Sequence, residues 1–283
     1  MIGSYGLSVI TLVGINVILA LGLNLITGFC GQISLGHAAF YGVGAYATAL
    51  LAKAGYPIWI ALPFSMLAAA AAGLLVGLCS LRVREDFLAI ATMAAGFIFV
   101  GVVKQNDALG GEVGISGIPT PGFGQAGFAV FVVAAMLLVM LFCLHVRRSW
   151  LGFAFSAVAA DEGAAQLIGI DNRTFKLAAF CMGTALAGLS GSLLAYYLRA
   201  VSADAFGFVT SISILSMVVL GGMGSVFGCV IASAMLTVMP DVLRFADDYK
   251  LLIFGLLLFA VMRFAPDGLA GLTNLWPRRE RQA

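Results

Sequence analysis

The chain has 283 residues, 62% of them hydrophobic and 10% charged, with a mean hydropathy of +1.08, whereas an ordinary soluble domain carries about 25% charged residues. Its formal net charge is only +2, with Lys and Arg scattered along the chain, which excludes nucleic acid and a basic membrane-binding arm as partners. What remains is an all-α integral membrane protein whose partners include membrane lipid.

The amino-terminal apolar run has no Lys or Arg ahead of it and no short h-region with a cleavage site, so it is expected to be a retained first span. The first charged side chain is Lys53. Crossing hydrocarbon takes about 20 apolar residues, and backbone groups in lipid must bond within their own segment. On that basis about nine spans are predicted: Leu7–Thr27, Leu35–Leu51, Ile58–Ser80, Phe87–Val103, Phe128–His145, Phe175–Leu198, Phe206–Leu220, Val226–Leu243 and Leu251–Phe264. The second and seventh are short and rich in Gly or Ser, as partial or broken helices would be.

Lys and Arg favour cytoplasmic loops. With the carboxyl terminus inside, alternation places ten of the 15 basic residues in the cytoplasm, among them Arg82, Arg147, Arg148, Arg173 and Lys176. Lys53, Lys104, Arg199, Arg244 and Lys250 fall outside. The bias predicts an external amino terminus and a cytoplasmic carboxyl terminus. Small residues recur every fourth position in Gly183, Ala187, Gly191 and Ala195, and in Ala69, Gly73 and Gly77. Such stripes let helix backbones approach in lipid, and tight packing of the bundle is the expected use.

Between the first two spans the chain is rich in Gly, and Asn24, Thr27, Gln32, Ser34 and His37 cluster around the break. Non-helical backbone at membrane depth must be covered by protein or line a wet cavity. These residues therefore belong either to a translocation path or gate, or to a capping turn with His37 bonded to a carbonyl. One histidine with no second His or acid nearby makes no metal site. The loop from Asn106 to Gly127 holds Gly and Pro that forbid a regular helix; it is expected to cover the outer mouth of a pathway, to meet an external protein, or to be plain surface.

Residues about 146–174 form a predicted cytoplasmic loop. Within it, Asp161 to Leu167 avoids Pro and β-branched residues, Gly169 can end a helix, and Asp171 or Asn172 can cap the next. The result is a helix of about two turns, marginal on its own. It is held either by a separate partner or by docking on its own bundle through Leu167 and Ile168.

Some chemistries are disfavoured. Every Asp, Glu, Lys and Arg falls at or beyond a predicted helix end, which argues against a proton-driven carrier. The segment "GGMGSVFG" has glycines but no lysine, so it is no phosphate-binding loop. Cys30, Cys79, Cys143, Cys181 and Cys229 lie far apart without a CxxC pair and are expected to be small core residues. No enzymatic, metal or cofactor site is expected in this chain.

Five motifs in order carry a resemblance: "GQISLGHAAFYGVGAYATALL", "FLAIATMAAG", "GGEVGISGIP", "DEGAAQLIGID" and "SILSMVVLGGMGSVFG". Together, over roughly residues 19–266, they resemble the LivM-type permease of branched-chain amino acid ABC importers. The forms "SLGHAAF" and "GISGIP" are more similar to LivM than to its sister LivH. The resemblance implies one permease domain over residues 1–283, with a helix bundle like that of vitamin B12 importer-class permeases and a cytoplasmic tail over about 265–283. It implies a bacterial-type inner membrane, a LivH-like partner permease, two cytoplasmic ATPase subunits that bind the ATP, and an external solute-binding protein. It also implies that Asp161, Glu162, Ala164, Ala165 and Gly169 form the handle that couples to an ATPase.

The chain departs from the family pattern at Ala159 or Ala160, where relatives commonly carry Arg, and at Phe97, where they often carry Glu. The competing expectations are a self-contained channel or facilitator for a small polar solute, lined by the five polar residues of the break, and a membrane scaffold. Within the family, urea or short amides are alternative substrates.

Overall fold

A computed structural model describes residues 3–80, 85–122, 124–242, 255 and 259. The expected ninth span, Leu251–Phe264, apart from residues 255 and 259, and the tail over 265–283 lie outside the described residues, as do Arg82, Arg84, Arg244 and Lys250.

The other eight expected spans all appear as helices: α1 (Ser4–Asn24), α2 (His37–Lys53), α3 (Ile58–Ser80), α4 (Glu85–Gln105), α5 (Gln125–Arg148), α8 (Asn172–Leu198), α9 (Phe208–Gly221) and α10 (Val226–Val242). Two short helices, α6 (Trp150–Ala160) and α7 (Glu162–Leu167), fill the loop between α5 and α8. Among the described residues, six helical stretches are long and apolar enough to cross a membrane, α9 counting with the turn before it as Ala203–Gly221, while α2 and α10, at 17 residues each, are shorter.

The centre of the bundle is α1 and α8, buried over 72% and 61% of their apolar windows, whereas α4 is buried over only 17% and shows its side chains outward. The reason is visible in the small-residue stripe of α8, which packs against α1, α2 and α3. Within the stripe, a Cβ added at Gly191 would lie 2.8 Å from the Ala45 nitrogen, and at Gly188, beside the stripe, one would lie 2.6 Å from Ala69 Cβ and from the Ser65 carbonyl. The stripe is thus the seam of the bundle, in keeping with the packing expected from small residues in lipid. Cys30, Cys143 and Cys229 are buried as expected, but Cys79 is exposed and Cys181 half-buried. Those two are not core residues, because they sit on outward faces of α3 and α8.

The loop after α4 is more ordered than its Gly and Pro content implies. Ile115–Ser116 (β1) pairs antiparallel with Ala200–Val201 (β2), Ile115 opposite Val201, and the Ile118 N–H donates to the Arg199 carbonyl at 3.2 Å. Ile115 and Ile118 are buried. Lys104 and Asp204 are ion-paired at 2.7 Å, tying the end of α4 to the same connection.

Candidate functional site

The short acidic helix forms where it was expected. Asp161 is its N-cap, and Oδ1 accepts hydrogen bonds from the N–H groups of Gly163 (2.8 Å) and Ala164 (3.1 Å), which satisfies two of the amides a helix start leaves unpaired. At the other end Gly169 takes φ +85° and the Ile170 N–H returns to the Ala165 carbonyl at 3.0 Å, a left-handed stop that favours glycine. Asp171 then caps α8: Oδ1 accepts from the Arg173 N–H, and Oδ2 accepts from the Thr174 hydroxyl at 2.6 Å. The Thr174 bond, helped by the amides of Arg173 and Thr174, holds the Asp171 carboxyl below its ordinary value.

The face on which α7 rests differs from the one available in the sequence pattern. Ala165 and Ile170 are buried against the bundle, while Leu167 and Ile168 are 89% and 65% exposed. The docking alternative through Leu167 and Ile168 is therefore replaced: a six-residue helix can bury only one narrow face, and the small Ala165 lets that face come closest. Ala164 points outward. Two polar links fix α7 to α8. The Asn172 side chain donates to the Glu162 carbonyl at 2.8 Å, and the Lys176 ammonium pairs with the Glu162 carboxylate.

The break between the first two spans is a π-helical turn, Leu25–Phe29, followed by non-helical backbone up to His37. Asn24, Thr27, Gln32, Ser34 and His37 are all buried there. Asn24 bridges to the α9–α10 turn: Oδ1 accepts from the Gly224 N–H at 2.9 Å and Nδ2 donates to the Ser225 carbonyl at 3.4 Å. Gln32 donates through Nε2 to the Lys176 carbonyl at 2.9 Å. Two backbone amides of the break are satisfied by side chains the sequence pattern did not single out, Leu35 N–H by Thr92 Oγ1 at 3.0 Å and Ala38 N–H by Ser211 Oγ at 3.1 Å. Such side chains are needed where a helix begins inside the bundle. Only the presence of Thr92 within "ATMAAG" hinted at this.

Among the described residues, the hydroxyls of Thr27 and Ser34 and both nitrogens of His37 meet no hydrogen-bond partner, although the Leu19 carbonyl lies near the His37 ring. None of the five polar residues lines the small cleft beside them, whose walls include Leu35, Met93, Phe97, Phe208 and Ser211. Phe97 and Phe208 stack there with ring centroids 6.1 Å apart. The cleft is mainly apolar.

Residues 5–262 match the family described as branched-chain amino acid transport system, permease component. The chain is 36% identical to the high-affinity branched-chain amino acid transport system permease protein LivM of Escherichia coli K12, over 97% of this chain and 72% of that protein. It is 31% identical to BraD of Pseudomonas aeruginosa, a permease protein of the same description, over 87% of this chain and 88% of that one. To LivH of Escherichia coli K12 it is 28% identical over 50% of this chain. No solved structure matches, so the likeness to vitamin B12 importer-class permeases has no support from that side.

Proposed function

The chain belongs to the family of permease components of branched-chain amino acid transport systems, and from that premise we propose how it takes part in transport. It is the membrane subunit of an ATP-driven importer for branched-chain amino acids. A LivH-like permease pairs with it, two cytoplasmic ATPases bind and hydrolyse the ATP, and an external binding protein delivers the solute. The α7 side of the bundle is cytoplasmic, with the amino terminus outside and the carboxyl terminus inside.

The observation that carries the mechanism is the placement of α7. It leaves Leu167 and Ile168 outward for a partner while Glu162 is bound to Lys176 inside α8. A displacement of α7 therefore pulls on the start of α8. Because the Lys176 carbonyl also holds Gln32, the same displacement reaches the break where α2 begins. Packed interiors respond by moving as units, so α8 and the break shift together and alternate the access of the bundle. In this scheme Asp161 shapes the handle, Glu162 transmits force, Ala165 seats the helix on this chain, Ala164 admits close approach of the ATPase, and Gly169 turns the backbone back toward α8.

A self-contained facilitator is not favoured. Its pore would need Asn24 and Gln32 free to meet solute, and both side chains bond to the backbone of neighbouring turns. Substitution of Leu167 and Ile168 by Glu tests the reading: insertion and α-helix content should be kept, while ATPase copurification and ATP-dependent uptake are lost. Undiminished uptake by that variant would overturn it.

A further inference from the structure

A second surface lies at the end of α5, bordering the break at Gly28 and Phe29. At the end of α5, Arg147 and Arg148 are exposed, and among the described residues neither has a carboxylate within ion-pairing distance. Both line an open crevice with Ser149, Gly152, Phe153 and Ser156 of the following turn and helix and with Gly28 and Gly224. The turn is tight: a Cβ at Gly152 would sit 2.6 Å from the Arg147 carbonyl oxygen, so glycine keeps α6 folded back beside the two guanidinium groups. Ser149 and Ser156 donate their hydroxyl protons to the carbonyls of Val146 and Phe153. Any anion in the crevice must therefore be held by the arginines.

Next to this basic pair, α6 shows an apolar face. Trp150 and Phe153 are 65% and 53% exposed, their rings stacked with centroids 5.4 Å apart, and Leu151 is exposed beside them. With 11 residues, α6 reaches about 16 Å at 1.5 Å per residue, half of the roughly 30 Å hydrocarbon thickness. It cannot span. Its other side, Ala154, Phe155 and Val158, is buried in the bundle. A short helix with one face in the protein, the other aromatic, and cations at its start has the character of a helix lying at the membrane boundary, where Trp sits at headgroup level. Guanidinium groups match phosphate in shape and charge.

We propose that this crevice is a binding site for an anionic phospholipid, whose phosphate is held by Arg147 and Arg148 and whose acyl chains lie along Trp150 and Phe153. An apolar aromatic face continuous with the cations favours a lipid over a free anion, which has nothing to place there. The bound lipid braces α6 at its start, and α6 leads directly into Asp161 and α7.

The test uses the full chain with Trp59→Phe and Trp276→Phe, which leaves Trp150 as the sole tryptophan of the three. It is reconstituted in phosphatidylcholine vesicles containing a minority of phosphatidylglycerol, with bromine on the acyl chains of one lipid or the other. Bromine on the anionic lipid should quench Trp150 about tenfold more per mole than bromine on the zwitterionic lipid. Arg147→Gln with Arg148→Gln should abolish that preference, while a chain retaining Trp59 alone shows none in either form. Equal quenching by the two lipids would overturn the proposal. So would a preference that survives the double substitution, or one that inorganic phosphate or added ATPase subunit removes, which would assign the crevice to a free anion or to the ATPase. No transport is measured, so failure here leaves the importer reading untouched, and the Leu167 and Ile168 variant tests that reading separately.

Discussion

Glu162, the first residue of α7, is ion-paired with Lys176 in the second turn of α8, 14 residues further along the chain. The Lys176 side chain is only 13% exposed and that of Glu162 36%, so the pair is partly shielded from solvent. Glu162 also sits at a helix start, where a negative charge is favoured. The link is electrostatic and directional, and it can be broken without removing either helix.

Glu162→Gln should lower the amount of solute moved per ATP hydrolysed about two- to fivefold, the range for loss of a partly exposed ion pair. Lys176→Met should do the same. The exchange of Glu162→Lys with Lys176→Glu should recover part of the loss, and only part, because Lys is disfavoured at the start of α7. Uptake and phosphate release measured together in proteoliposomes check this, and no recovery in the exchange would detach the pair from coupling.

Asp161→Ala removes a cap worth about 1 kcal/mol. Exchange of the Gly163 and Ala164 amides should therefore accelerate about fivefold, while Asp161→Asn, which keeps an acceptor, changes little. Hydrogen exchange read by mass spectrometry on peptides covering α7 gives the answer.

The Asp171 cap carries a pH signature. Its carboxyl lies below its ordinary 3.8 because the Thr174 hydroxyl, and then the amides of Arg173 and Thr174, bond to the ionised form. A depressed folded value means that the cap contributes fully above the unfolded value and is lost as pH falls through the lower folded one. Protection of the Arg173 and Thr174 amides should persist as pH is lowered to 3.8 and vanish only below it. Thr174→Val should move that loss to higher pH.

Gly188→Val should destabilise the bundle by about 1–3 kcal/mol through overpacking of the α3–α8 seam. Gly101→Val on α4, where no atom lies within 4 Å of the added carbon, should cost little by comparison. Thermal unfolding of both variants in detergent separates them, and equal midpoints would contradict the seam.

Much of this architecture is legible in the chain. Ile58–Ser80 is the same helix in sequence and structure, because a long uncharged run in lipid has no other way to satisfy its backbone. The stop of α7 at Gly169 and the capping of α8 by Asp171 are legible from residue types with narrow conformational uses, whereas Asp161, expected inside α7, turns out to be its cap. Three features were not. The β1–β2 ladder has two residues per strand, too few for any alternation to register. Helix α6 reads as loop, since its apolar run is shorter than a span and no polar stripe marks its free face. The Gln32–Lys176 and Ala38–Ser211 bonds join positions 144 and 173 residues apart, and local pattern contains no information about such pairs. The polar cluster at the break was found as a group, but its division into bonded members, Asn24 and Gln32, and unbonded ones, Thr27, Ser34 and His37, depends on neighbours supplied by α8, α9 and the turn before α10.

The most direct measurement is cross-linking of the assembled importer carrying Leu167→Cys in a chain whose five natural cysteines have been replaced. A short thiol reagent should join this position to an ATPase subunit, with a yield that changes when ATP is added. Absence of that adduct, together with labelling of the same cysteine by an impermeant reagent supplied from outside the cell, would contradict the account.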